Sequence, residues 1–191
     1  GAQLGMAYAL AHPQAVVHLM LDNAGHFDDD ECAHILARYF PDLMPRANGS
    51  HLATAWQMCA QMTEFFPWYE TDEAHRIAPR PAPAAAVHTI PQDLLAAGPG
   101  YATAYRAAFE HQRAAKVQAL TVPTSLLRWQ GSVLLRPIDR LLGFTLPPQV
   151  AVLDIPAPAA ERHAARGATP LVARVLVGMP RNVLTLETIG K

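Results

Sequence analysis

Two short apolar runs, 15–21 and 122–127, stand far apart in the chain, with mostly helical patterning between them. The first is bounded by Pro13 and Asp22, and the second is entered through Val122-Pro123-Thr124. Short apolar runs with turn signals at their ends read as strands buried on both faces. Buried strands alternating with helices form a parallel sheet with covered faces, so the predicted fold class is α/β. A third run, 150–155, supplies a further strand.

The residues between the strands set the domain organisation. Residues 2–11 are Ala, Leu, Gly, Met and Tyr around Gln3, a helix packed on more than one side. His12-Pro13 stops it, because proline lacks a donor and restricts the residue before it. From Asp28 the acids Asp28-Asp29-Asp30-Glu31 open a helix where they complement its dipole. Ile35, Leu36, Tyr39 and Phe40 form its apolar stripe, and Pro41 ends it. Asn48-Gly49-Ser50 is a turn with Ser50 as the expected N-cap. The following helix carries Leu52, Trp56, Cys59, Met62 and Phe66 at helical spacing and closes at Pro67-Trp68-Tyr69. The Pro- and Ala-rich stretch 78–91 is a connector that cannot be one regular helix. After Gly98-Pro99-Gly100, the residues Tyr101, Tyr105, Ala108 and Phe109 mark another amphipathic helix. A short helix is expected over 136–142, a last one over 169–177, and an edge strand around Val183, Leu184 and Leu186. Residues 28–119 thus read as a helical block inserted between two portions of a sheet domain, 1–27 and 120–191.

Composition excludes several classes of function. The chain has 191 residues, 51% of them apolar, and a net charge of −1. That suits one core and gives no electrostatic case for nucleic acid. Cys32 and Cys59 are too few for a disulfide framework and read as buried thiols. No His-Glu-x-x-His occurs, and neither a metal nor another cofactor is expected. The apolar runs are too short for a membrane span. No basic leader precedes an apolar core, so the expected location is the cytoplasm.

The order of small-residue helix, His-Pro, strand ending in Asp22, helical insertion, Val-Pro-Thr strand, short helix, strand and His-bearing loop resembles the second half of an α/β-hydrolase. The block at 28–119 resembles the lid that such enzymes insert after their sixth strand. Within it, Gly49-Ser50-His51-Leu52 with Trp56, then Phe65-Phe66-Pro67-Trp68-Tyr69, resembles the lid of a group of bacterial α/β-hydrolases of uncertain substrate. Family members place a serine nucleophile in a Gly-x-Ser-x-Gly elbow before such a helix. If Gly1-Ala2-Gln3-Leu4-Gly5 were that elbow, Gln3 would stand at the nucleophile position and the enzyme would be dead. If Gly1 is the last elbow glycine, the nucleophile lies two residues upstream. The helix from Gly1 to Pro13 has the family's length, whereas one from Gly5 is about a turn short. The second alignment is therefore preferred. It implies an α/β-hydrolase fold whose earlier strands, oxyanion hole and nucleophile come from a companion N-terminal chain or segment.

The resemblance also assigns roles. His163, with Glu161 and Arg162 in the loop at 156–167, stands where the family places its general base, a role suited to a pKa near working pH. The triad acid usually follows the seventh strand, but Trp129-Gln130-Gly131-Ser132-Val133-Leu134 holds no carboxylate. Asp22, at the end of strand six, is the alternative that some members use. Its other reading is a cap on the turn at Asn23-Ala24-Gly25. Asp139, in the helix past the turn, is a weaker alternative, and a dyad without an acid is a third reading. His26 follows the strand-six turn and is a candidate to face the site. Trp56, Phe65 and Trp68 belong to an aromatic-rich stretch suited to an apolar pocket. The remaining histidines read as structural or solvated. The expected activity is hydrolysis of an ester, thioester or related carbonyl substrate with a hydrophobic body. The alternatives are a non-catalytic binding subunit and an epoxide hydrolase or dehalogenase with an upstream aspartate nucleophile.

Overall fold

The computed structural model describes residues 1–158. His163, the helix expected at 169–177 and the strand expected around Val183 lie outside the described residues. In chain order the elements are α1 (Ala2–Ala11), β1 (Leu19–Asp22), α2 (Asp29–Arg38), α3 (Ser50–Met62), α4 (Ala84–Val87) and α5 (Thr89–Ala96). They continue with α6 (Tyr101–His111), α7 (Ala114–Gln118), β2 (Thr124–Trp129), α8 (Leu135–Leu142) and β3 (Val150–Ile155). The chain divides into a sheet unit, Gly1–Gly25 with the chain from Ala114 on, and a helical unit, His26–Arg113.

The sheet unit is α/β. Its three strands are all parallel in the order β1-β2-β3, with Leu19 opposite Thr124 and Thr124 opposite Val150. Every side chain from Thr124 to Leu127 is buried, as a central parallel strand covered on both faces requires. Leu21, Leu126, Ile138 and Leu141 are fully enclosed. α1 lies against β1 closely enough that a Cβ on Gly5 would sit 3.3 Å from Leu19 Cδ1. β1 is shorter than the apolar run that predicts it. Pro13 opens a 3-10 turn, and the N–H groups of Ala15 and Val16 donate to the carbonyls of His12 and Pro13 at 3.0 and 3.2 Å. Those donors are thereby taken from the sheet. β3 is exposed over 151–154, with Val152 and Leu153 each 37% accessible, so among the described residues the sheet is covered at its centre and exposed along this strand.

The helical unit forms around its aromatic residues. Asp28 caps α2, its carboxylate accepting the Glu31 N–H at 2.9 Å. Ser50 is not the cap of α3. Gly49 holds that position with φ +71°, and Asn48 Oδ1 accepts the Ser50 N–H at 3.1 Å. An asparagine reaching two residues forward competes well for that donor, and glycine adopts the left-handed conformation without cost. α3 buries Ala55, Met58 and Cys59 and leaves Leu52 and Trp56 exposed. The expected stripe is rotated because α4 and α5 pack on the neighbouring face. Helix also extends into the proline-rich connector. Pro91 is accommodated in the first turn of α5, where backbone donors have no intrahelical partner.

Tyr39 is the hub of this unit, with the rings of Phe40, Phe66, Trp68, Tyr69 and Phe109 around it at 5.2–6.5 Å between centroids. Burial raises the Tyr39 phenol well above its ordinary value. Burial, aided by the Glu70 charge, pushes the Tyr69 phenol up to about 12. The Tyr69 hydroxyl is enclosed and has no hydrogen-bond partner among the described residues. Three outcomes are expected. In a titration followed at 295 nm, Tyr69 ionises near pH 12 rather than near 10, and Tyr69→Phe removes that step. Between those values the unfolded chain loses a proton that the folded unit keeps, so stability falls as pH rises from 10. At neutral pH Tyr69→Phe leaves the melting temperature unchanged or higher, because it deletes an unsatisfied polar group.

Candidate functional site

In open parallel sheets, ligands bind beyond the carboxyl ends of the strands. Here that edge is formed by the turns that leave β1 and β2, and the two are built to fit each other. Asp22 is the last residue of β1 and is partly buried. Asn23 follows with φ +65°, a conformation that asparagine tolerates better than most residues. Its Oδ1 accepts the Ser132 hydroxyl at 2.6 Å, and Ser132 Oγ accepts the Leu134 N–H at 3.0 Å. Gly25 meets α8 directly: a Cβ there would stand 2.7 Å from Pro137 Cβ and 3.0 Å from its carbonyl carbon. Gly131 is equally confined, by the Trp129 ring at 2.5 Å and the Ala157 carbonyl oxygen at 2.8 Å. The Trp129 indole N–H donates to that same carbonyl at 3.0 Å. The turn after β2 is therefore joined on one side to the turn after β1 and on the other to the exit from β3.

This rigidity has a testable consequence. Gly25→Ala forces a methyl group into backbone that cannot yield, and the expected loss is about 1–3 kcal/mol in urea denaturation.

The position after β2, where a triad acid is usual in the resembled family, is occupied by Ser132, which is 9% exposed with its hydroxyl committed to Asn23. Asp139 lies on α8, held by Arg128 through a fork of 2.5 and 3.0 Å, while Arg128 also reaches Asp154 at 2.9 Å. Those carboxylates hold the Arg128 pKa above its ordinary value. A carboxylate gripped in this way is a poor acceptor for a histidine. Asp22 stands at the carboxyl end of β1, beside the turn at Asn23. His163 lies outside the described residues.

The other candidates belong to the helical unit. His26 is partly buried at its start. Trp56 is 39% exposed on α3, and Phe65 is 6% exposed beneath the Arg76 guanidinium, 4.7 Å from its ring centroid. The Trp68 indole donates to the Tyr39 carbonyl at 2.9 Å. Phe65 and Trp68 thus serve the packing of this unit, while Trp56 presents an apolar surface.

Sequence reasoning missed two polar pairs. The Asn23–Ser132 pair had one local signal: an asparagine directly after a strand, before the small residues Ala24 and Gly25, marks a left-handed turn. The second is His18 Nε2 with Ser125 Oγ at 2.9 Å. Ser125 is buried in the first half of β2, at the end of the strand opposite these turns, so the contact satisfies a buried hydroxyl. Among the described residues, no group of three or more His, Cys, Asp or Glu could hold a metal, and no helix is long and apolar enough to cross a membrane. No protein-family model, curated protein or solved structure matches the chain.

Proposed function

We propose that this chain is the later part of an α/β-hydrolase-type enzyme that cleaves an ester, thioester or related carbonyl substrate with a hydrophobic body. The observation that carries the reading is the order of elements. A helix packed on β1 is followed by β1 itself, a separate helical unit, the neighbouring parallel strand β2, a helix, and the next parallel strand β3. This is the arrangement expected of sixth, seventh and eighth strands with a lid after the sixth.

The reading assigns the attacking group to a serine upstream of Gly1. Its Oγ attacks the carbonyl carbon as its proton passes to His163, and the leaving group takes that proton as the acyl–oxygen or acyl–sulfur bond breaks. Water then releases the acid by the same route. Asp22 orients His163. Two features support a companion segment for the earlier strands. Among the described residues β1 has β2 as its one neighbour, and Leu4 on α1 and Val17 before β1 are 75% and 55% exposed. A free strand edge flanked by apolar side chains favours a further paired strand.

One observation favours the non-catalytic alternative: the usual acid position is filled by a buried serine rather than a carboxylate. The two readings separate in one assay. The native protein, purified from its source, hydrolyses p-nitrophenyl octanoate and is irreversibly silenced by a fluorophosphonate. Absence of hydrolysis by the intact folded protein overturns the enzymatic reading. Hydrolysis of an epoxide or haloalkane without fluorophosphonate sensitivity moves the chemistry to an upstream aspartate.

A further inference from the structure

The helical unit contains a cavity of about 310 Å³ between the chain leaving α2 and the start of α6. Phe40, Pro41, Leu43, Met44 and Tyr101 give it an apolar wall, and Arg106 stands at its margin. The volume equals roughly ten waters at about 30 Å³ each in the liquid, room for a molecule of about ten non-hydrogen atoms.

Charge decides what would enter. Arg106 is fixed by two contacts. Its guanidinium lies over the Phe40 ring, 4.6 Å from the centroid, and Nη1 donates to the Leu36 carbonyl at 3.0 Å. Arginine has five N–H donors, so most of its capacity remains. Among the described residues no carboxylate lies within ion-pair distance of it. The one acid in the lining, Asp42, is already engaged. It accepts the Met44 N–H at 2.9 Å and an Arg46 N–H at 3.2 Å, and these partners hold its pKa below the ordinary carboxylate value. The Tyr101 hydroxyl donates to the Pro41 carbonyl at 2.6 Å. The cavity therefore combines an apolar wall with a positioned cation that makes no ion pair among the described residues.

We propose that this cavity is a binding site for a small monoanion with an apolar body, of which a medium-chain carboxylate is the simplest case. The carboxylate takes the free N–H groups of Arg106, and the chain lies along Phe40, Leu43 and Met44. A guanidinium immobilised by ring stacking loses little freedom on binding, and its planar fork matches a carboxylate. The site is built wholly within the helical unit and does not depend on the hydrolase reading.

Calorimetric titration of the native protein with octanoate, octanol and octylammonium tests it. Octanoate is expected to bind in a saturable manner, at least tenfold more tightly than the neutral or cationic probe. Arg106→Gln weakens octanoate binding about tenfold, the effect of one charge-assisted hydrogen bond, and Arg106→Lys weakens it less. Ala102→Phe, which fills the cavity without altering charge, abolishes binding, and thermal melts establish that each variant is folded. His163→Ala leaves the affinity unchanged, which separates this site from a catalytic one that binds a carboxylate product. Equal affinity for octanoate and octanol, or unchanged octanoate affinity in folded Arg106→Gln, overturns the proposal. So does loss of binding in His163→Ala alone.

Discussion

If the proposed hydrolase reading holds, Asp22→Asn is expected to lower the hydrolytic rate of the native protein by about four orders of magnitude, while Asp139→Asn leaves it unchanged. The expected size follows from what a triad acid does. It holds the histidine in the tautomer that accepts the nucleophile's proton and stabilises the imidazolium that forms, and its amide analogue favours the wrong tautomer. The two aspartates have different settings. Asp22 ends a strand at the carboxyl edge of the sheet, next to the fixed turn of Asn23. Asp139 is held in a fork by Arg128 and shares that cation with Asp154. His163→Ala produces a fall at least as large, and the double variant adds little, because groups that act as a unit are not additive. Steady-state kinetics on the four variants with p-nitrophenyl octanoate measure this. A drop confined to Asp139→Asn, or no drop in either aspartate variant with a full loss in His163→Ala, would replace Asp22 as the acid or leave a dyad.

Phe27→Ala destabilises the helical unit by about 3–5 kcal/mol, the usual cost of deleting a buried aromatic side chain and leaving its cavity. Phe27 is fully enclosed, and its ring meets Phe109 edge-on with centroids 5.5 Å apart. Phe109 in turn contacts Tyr39 and Phe40, so the lost ring borders the aromatic hub. The backbone of Phe27 also joins the two ends of the unit. Its N–H donates to the Gln112 carbonyl at 3.2 Å, and its carbonyl accepts Arg113 Nη1 at 3.0 Å. These main-chain bonds survive the substitution, so the expected loss is a packing loss. Urea denaturation read by aromatic fluorescence shows it as a shift in midpoint. A loss below 1 kcal/mol would mean that the hub does not depend on this ring.

The parts of the fold that were legible were those fixed by local chemistry. The helix over 2–11 and the strand over 150–155 have the bounds that the sequence suggests, because His12-Pro13 and the residues flanking Val150 act on their immediate neighbours. The α/β class followed from buried apolar runs separated by helices. Local competition was harder to read. The Ser50 cap failed because Asn48 and Gly49 meet the same need, and β1 lost its first residues to a proline-opened turn. Contacts between distant residues were not legible. Ser132 finds Asn23 across 109 positions, and Gly25 abuts Pro137, through a sheet register that no local pattern encodes. At the candidate site, Asp22 was visible as the end of an apolar run. The fork that occupies Asp139 required the placement of Arg128.

The most direct test of the central claim is where a fluorophosphonate attaches. The native protein, purified from its source, is labelled with the probe and digested, and the modified residue is identified by mass spectrometry. The account predicts a labelled serine two residues upstream of Gly1, with labelling lost in His163→Ala. A folded protein that takes no label, or one labelled at Ser50, Ser125 or Ser132, would contradict it.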